Sequence, residues 1–218
     1  MSLTSTMIAI GLASYLLGVL TLWPLTRHLH TNLTTCRTAL LHDPLTGLLN
    51  RGGVAAGYHD LVRDGHRLIT LLADVDGFKA VNDTHGHHAG DDLLTAVAVR
   101  IGELADLYHG IAGRLGGDEF AVLVPATGHD PARIADTFHN LVCQPIVTAS
   151  GATLNVTASI GYTVASTDLS TSLRAADIAM YHAKRSGSGR PTGYRPGMTI
   201  PAHHTHQRRH LRDKGVTE

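Results

Sequence analysis

The longest apolar stretch of the chain, MIAIGLASYLLGVLTLWPL from Met7 to Leu25, runs 19 residues without a charge. As a helix rising ~1.5 Å per residue it would reach roughly the ~30 Å thickness of bilayer hydrocarbon, which predicts one transmembrane helix with Trp23 at the headgroups. A cleaved signal peptide is the competing reading, but no Lys or Arg precedes the run and no small-x-small cleavage site clearly follows it. Arg27 and Arg37 come after the span and no basic residue before it, so the positive-inside tendency puts everything beyond Leu25 in the cytoplasm, with residues 1–26 in the inner membrane. Leucines at 29, 33, 40 and 41 give residues 27–42 a loose helical spacing, a short stalk that leaves no room for a separate sensor domain before Asp43.

Beyond the stalk, apolar runs of strand length alternate with helical periods. RLITLLADVD (67–76) is a continuous buried-strand pattern, and GHHAGDDLLTAVAVRIGELADLY (86–108) carries apolar residues at 93, 94, 97, 101, 104 and 107, an amphipathic helix. GIAGRL and EFAVLVP flank Gly116-Gly117 as two strands around a tight turn. Further helices are predicted over 131–144 and 172–184, and a β-branched strand over 155–165. At the start of the globular part, Asp43 is expected to cap a helix with Pro44 in its first position, and LLNRGGVAAGYHDLVRDG to form a helix interrupted by glycine. After Arg190 the periodicity stops, so residues 191–218 are expected to be a disordered tail.

Composition narrows the function classes. A 218-residue chain with 43% hydrophobic residues affords one ordinary core, and 18 basic against 18 acidic residues give no electrostatic reason to expect nucleic acid as partner. Cys36 and Cys143 lack metal-ligand spacing and read as reduced thiols, and most of the 16 histidines fall in polar stretches and read as surface residues.

Two segments concentrate chemistry. In RLGGDEF (114–120), Gly116 and Gly117 can adopt positive φ and leave room for a bulky polyanion beside Asp118 and Glu119, although such a tip taken alone reads first as a solvated turn. In LLADVDGFKAVNDTHGHHAGDDLL (71–94) a buried strand ends in Asp74-Val75-Asp76, and Lys79, Asn82, His87 and Asp91 follow. The two aspartates are not expected to be equally buried, and an acid at the end of an apolar strand is costly unless a cation or hydrogen bonds satisfy it. Magnesium, which commonly takes one or two carboxylates plus substrate phosphates, would suit one acid from the strand and one from the hairpin. A strand-exit turn is the plainer reading of the Asp-x-Asp alone.

In their order, DPLTGLLNR, DVDGFKAVNDTHGHHAGDDLL, RLGGDEF, NVTASIGY and AADIAMYHAK resemble the GGDEF-domain diguanylate cyclases over residues 43–190. That resemblance implies an α/β (α+β) palm-like nucleotidyl cyclase domain, a central mostly antiparallel sheet wrapped by helices. It implies condensation of two GTP molecules into cyclic di-GMP with release of two pyrophosphates, each of two facing subunits holding one GTP, so that catalysis needs a homodimer. Asp74, the Val75 carbonyl, Asp118 and Glu119 then correspond to ligands of magnesium, with manganese as an alternative, and Asp118 and Glu119 also to the catalytic acids. Lys79, Asn82, His87, Asp91, Gly116, Gly117 and Lys184 correspond to substrate-binding positions, with an amide and a carboxylate as readers of guanine and the two lysines facing phosphate. A non-catalytic GTP-binding module, or a partner subunit for another cyclase, stays open as the alternative; the intact acids favour the enzyme. Two departures stand out: LYHG (107–110) replaces the family's inhibitory Arg-x-x-Asp, and KRSGSGR places Arg190 two residues later than the family's arginine.

Overall fold

The computed structural model describes residues 7, 11–12, 15–23, 26–28, 40–63, 67–165 and 168–201. The chain divides after Leu40 into two compact units. The described residues of the first unit are helical, and Leu12, Tyr15, Leu16, Leu20 and Trp23 expose their side chains. Among the described residues no helix is long and apolar enough to cross a membrane. Part of the predicted span and most of the predicted stalk lie outside the described residues.

The second unit is built on a mixed five-stranded sheet. In chain order its elements are α1 (Arg51–Arg63), β1 (Leu68–Asp76), α2 (Phe78–His85), α3 (His87–Leu107), β2 (Ile111–Gly116), β3 (Glu119–Pro125), α4 (Pro131–Val142), β4 (Ile146–Val147), β5 (Thr153–Leu154), β6 (Thr157–Ala165), α5 (Leu169–Ser186) and β7 (Thr192–Gly193). The strand order is β2-β3-β1-β6-β7, antiparallel except for the parallel β6–β7 pair, and β4–β5 form a separate small ribbon. The palm-like α/β expectation with a mostly antiparallel sheet is met.

β1 reads as an unbroken apolar run because it is the middle strand and helices cover both of its faces. Ile69, Leu71, Ala73 and Val75 pack in one cluster with Leu93, Val97 and Ile101 of α3 and Phe138 of α4. Leu68 and Leu72 face the other way, into a cluster with Val54 and Tyr58 of α1 and Ala176 and Met180 of α5. Asp74 lies on this second face, the one α5 covers.

The structure differs from sequence expectation at four places. Asp43 caps no helix: its Oδ1 accepts from the Thr46 amide (2.9 Å) and the Thr46 hydroxyl (2.7 Å), closing a turn. The cap of α1 is Asn50, whose Oδ1 accepts from the Gly53 amide at 2.9 Å. Asp-Pro suits both a helix start and such a side-chain turn, and here Leu49 bridges to His42 and Gly113, which keeps the segment before Asn50 out of a helix. The glycines do not interrupt α1. A Cβ on Gly53 would fall 2.1 Å from the Leu41 carbonyl oxygen and one on Gly57 2.9 Å from Ile111 Cδ1, so they are contact points rather than breaks.

α2 was not marked out by any apolar period, because none of its eight residues is buried. Finally, the fold continues past Arg190, while residues 202–218 of the expected tail lie outside the described residues. β7 runs alongside Gly161 and Tyr162 of β6, and the Tyr194 amide donates to the Tyr162 carbonyl at 2.8 Å. Two residues of strand are too few to show a period, which is why composition alone placed them in a tail.

Candidate active site

The site forms where β1 ends. In the antiparallel register Asp74 stands opposite Glu119 of β3 on one side and Ser159 of β6 on the other. Directly opposed residues share a sheet face, so Glu119 and Asp74 project toward the same layer. The Val75 amide donates to the Asp118 carbonyl at 3.2 Å, which stitches the hairpin tip onto the end of β1. Acids far apart in sequence are thereby gathered at one strand end.

Their electrostatics show the crowding. The Asp118 carboxyl is pushed above the ordinary carboxylate range, first by burial, then by the charge of Asp74 and, more weakly, of Glu119; its backbone hydrogen bond and the Lys184 ammonium work against the shift. Asp74 is only 8% exposed. Its Oδ1 accepts from Lys184 Nζ of α5 at 2.6 Å, so the lysine expected to face phosphate is held by a carboxylate here. Lys184 Nζ is also 4.0 Å from Asp76 Oδ1.

Asp76 has other partners. Its oxygens accept from the hydroxyls of Thr157 (3.0 Å) and Ser159 (2.8 Å), so β6 satisfies the more exposed of the two aspartates. The expected inequality of burial is observed, and these two hydroxyls are site residues that the sequence did not single out.

At the tip, Gly116 has φ 146° and Gly117 φ 54°, and no heavy atom lies within 4 Å of where a Cβ would stand on either. Backbone conformation and open space are both as expected of a turn that must admit a bulky group. Arg114, on β2, was not anticipated: its Nε donates to the Gly117 carbonyl at 2.9 Å and its Nη1 to Asp43 Oδ1 at 3.1 Å. Its partner lies far away in sequence, and no local pattern announces such a pair.

Lys79 and Asn82 sit on α2, which follows β1 after a single residue, Gly77, while His87 and Asp91 sit in the first turns of α3. Lys79, His87 and Asp91 are exposed and Asn82 is half-buried. Asn82 rests against α3 at Gly90, where a Cβ would come 2.0 Å from Asn82 Oδ1. This contact gives Gly90 a role that the sequence did not reveal. Asp91 lines a cleft of about 390 Å³ with His85, His88, Asp92 and the turn at Ala149 and Ser150. A second recess, about 540 Å³ between Tyr162, Tyr194, Asp130 and Thr171, contains none of the predicted residues.

Among the described residues no three His, Cys, Asp or Glu side chains come together as a ready metal cage. The donor set is instead two carboxylates, Asp74 and Asp118, with Glu119 on the same face and the Val75 carbonyl beside them. An oxygen-only set with few carboxylates fits a hard divalent cation that also takes phosphate oxygens. The Asp118 carboxyl is raised first by burial and then by the charge of Asp74, and a cation bound beside it would relieve both.

Residues 40–190 match the family model described as diguanylate cyclase, GGDEF domain. The chain is 39% identical over 158 residues to diguanylate cyclase TpbB of Pseudomonas aeruginosa strain UCBPP-PA14, an alignment covering 68% of this chain and 36% of that protein. It thus spans about a third of that relative's length. Among solved structures, the isolated GGDEF domain of TpbB from strain PAO1 superposes with a TM-score of 0.62 at 37% identity, over 71% of this chain and 94% of that one. The coiled coil and GGDEF domain of DgcB from Caulobacter crescentus, solved in complex with c-di-GMP, superposes with a TM-score of 0.69 at 26% identity, over 83% and 99%. The match across the whole second unit up to Arg190, with the acids at 74, 118 and 119 in place, makes this chain a member of the GGDEF-domain diguanylate cyclase family.

Proposed function

We propose that the chain condenses two GTP molecules into cyclic di-GMP and two pyrophosphates, as a homodimer anchored in the inner membrane with its catalytic unit in the cytoplasm. The observation that carries the reading is the gathering of Asp74, Asp118 and Glu119 at one strand end beneath an open glycine turn.

Asp74, the Val75 carbonyl, Asp118 and Glu119 would hold magnesium, or manganese in its place. A cation bound there supplies charge neutralisation for the triphosphate and a lower pKa for the attacking ribose 3′-hydroxyl. The chain's own groups do the rest. Gly116 and Gly117 leave the phosphates room beside the backbone, Lys79 offers them an ammonium group, and Lys184, which here sits on Asp74, would turn to them once a cation took its place on that carboxylate. Asn82 and Asp91 read guanine, whose N1-H and 2-amino group form a donor pair that adenine lacks, and His87 stands beside them. One subunit positions one nucleotide, so the second nucleotide must come from a facing copy. The charge-free apolar run from Met7 to Leu25, with exposed apolar side chains on its described helical residues, supports the membrane anchor.

The test is to incubate the purified chain with GTP and magnesium and to measure cyclic di-GMP at rising protein concentration. Product should appear, and turnover per chain should rise with concentration until the dimer saturates. Bound GTP with no product at any concentration would instead favour a non-catalytic nucleotide module.

Gly90 gives a finer test of the guanine reading. A methyl at this position displaces Asn82, because the side-chain oxygen lies 2.0 Å from the new Cβ. Loss of one hydrogen bond to the base is worth ~1 to 1.5 kcal/mol, so Gly90→Ala should raise the KM for GTP roughly five- to tenfold with kcat little changed. Steady-state kinetics decide it, and an unchanged KM would remove Asn82 from the base-reading set.

A further inference from the structure

We propose that Arg114 is a positioning residue for the cyclase reaction, and that together with Asp43 it fixes the backbone of Asp118 from the first turn of the domain. The proposal rests on the cyclase reading for its kinetic consequence and on geometry alone for its structural one.

The peptide planes on the two sides of the Asp118 Cα are each held at their carbonyl. The Gly117 carbonyl accepts from Arg114 Nε at 2.9 Å, and the Asp118 carbonyl accepts from the Val75 amide at 3.2 Å. With both carbonyls held, the φ and ψ of Asp118 are held too, and so is the direction in which its Cα–Cβ bond leaves the backbone. The second anchor belongs to the sheet. The first depends on one side chain, and it acts on the two residues of the hairpin with the least steric restraint, Gly116 and Gly117.

Arg114 can serve as an anchor because it is itself immobilised. Its Nη1 lies 3.1 and 3.3 Å from the two oxygens of Asp43, and the two side chains are only 13% and 18% exposed. Burial works to raise the Asp43 carboxyl, but the Thr46 hydrogen bonds and the guanidinium outweigh it and leave it below the ordinary value. The turn that carries Asp43 is sewn to β2: the Arg114 amide donates to the Leu49 carbonyl (2.8 Å), and Arg51 Nη2 to the Leu115 carbonyl (3.2 Å). A planar fork with five N-H donors can reach a carbonyl and a carboxylate together, whereas an ammonium at the same place reaches one of them. Asp43 lies three residues beyond the division between the two units, so the catalytic hairpin is braced against the point where the chain joins the domain.

Arg114→Lys and Asp43→Asn test the idea in the full chain. Both are mild, since lysine keeps the charge and asparagine keeps the acceptor for the Thr46 amide. For each, kcat should fall at least tenfold while the KM for GTP stays within twofold, and backbone amides of residues 116–119 should exchange with deuterium at least tenfold faster while those of β1 keep their protection. Unchanged kcat, unchanged exchange at the tip, or faster exchange spread equally through β1 would each overturn the proposal, the last because it marks a purely structural role. Should the unmutated chain make no cyclic di-GMP, the cyclase reading fails by itself, and exchange at residues 116–119 still decides whether Arg114 fixes the tip.

Discussion

Asp118→Asn should cut cyclic di-GMP formation on the order of 10³-fold if Asp118 holds a metal ion as proposed, because the loss of such a ligand removes several kcal/mol of charge stabilisation from the transition state and each ~1.4 kcal/mol is a tenfold change in rate. The same substitution should raise the melting temperature of the chain in the absence of divalent cations. Asp118 sits in a half-buried position against the charge of Asp74, and its carboxyl is pushed above the ordinary carboxylate range by that burial and that charge. For an acid whose value is raised on folding, the folded state holds its proton more tightly than the unfolded state does. Stability is therefore highest below the unfolded value and declines as pH rises through the interval up to the folded one. The penalty is therefore larger at pH 7 than at pH 4, and a neutral amide removes it. Calorimetry with a chelator at pH 4 and pH 7 would show the difference between the two proteins at pH 7 and little of it at pH 4. Adding magnesium should stabilise the unmutated chain more than the variant. A variant that melts below the unmutated chain at pH 7 with chelator present would contradict the crowding of acids on which the site rests.

Gly161→Ala is expected to be the most damaging single methyl in the sheet. A Cβ there would fall 2.1 Å from the Ala176 carbonyl oxygen and 2.1 Å from the Met180 amide nitrogen, both backbone atoms of α5. Backbone cannot rotate aside as a side chain can, so the helix must lift from β6. Overpacking of this kind costs about 3 kcal/mol or more, which for a domain of this size is a loss of roughly 6 to 12 °C in melting temperature. Function should suffer as well: Lys184 lies one helical turn beyond Met180, and its ammonium reaches Asp74 only while α5 stays seated. Gly117→Ala makes an informative contrast, since no heavy atom stands near its Cβ position and only the left-handed φ of 54° opposes the methyl. That change should cost about 1 to 2 kcal/mol. Equal losses at the two positions would mean that the β6–α5 contact is looser than the structure has it.

Much of the architecture is written in local pattern. β1 could be read because both of its faces are buried, α3 because its apolar stripe recurs over about four turns, and the β2–β3 hairpin because two glycines separate two strand-like runs. The acids of the site were legible for a related reason. Charged groups at the end of an apolar run are out of place unless something satisfies them, so Asp74 and Asp118 stood out as candidates before any geometry was known. Elements with no apolar period escaped notice: α2 buries none of its residues, and β7 is two residues long. The turn at Asp43 was misread because Asp-Pro is compatible with both a helix start and a side-chain turn, and the choice is made by β2 pairing with Leu49.

The sequence by itself determined which residue types are present, where the strands and long helices run, and that a pair of glycines leads into two acids. The tertiary structure alone decided who meets whom. It set Lys184 on Asp74, gave Asp76 to the hydroxyls of β6, placed Asn82 against Gly90, and tied the β2–β3 hairpin through Arg114 to Asp43. The physical reason is range: periodicity and turn chemistry act over a few residues and leave a trace in the sequence, whereas contacts between distant segments have no period and exist only once the sheet has fixed its register.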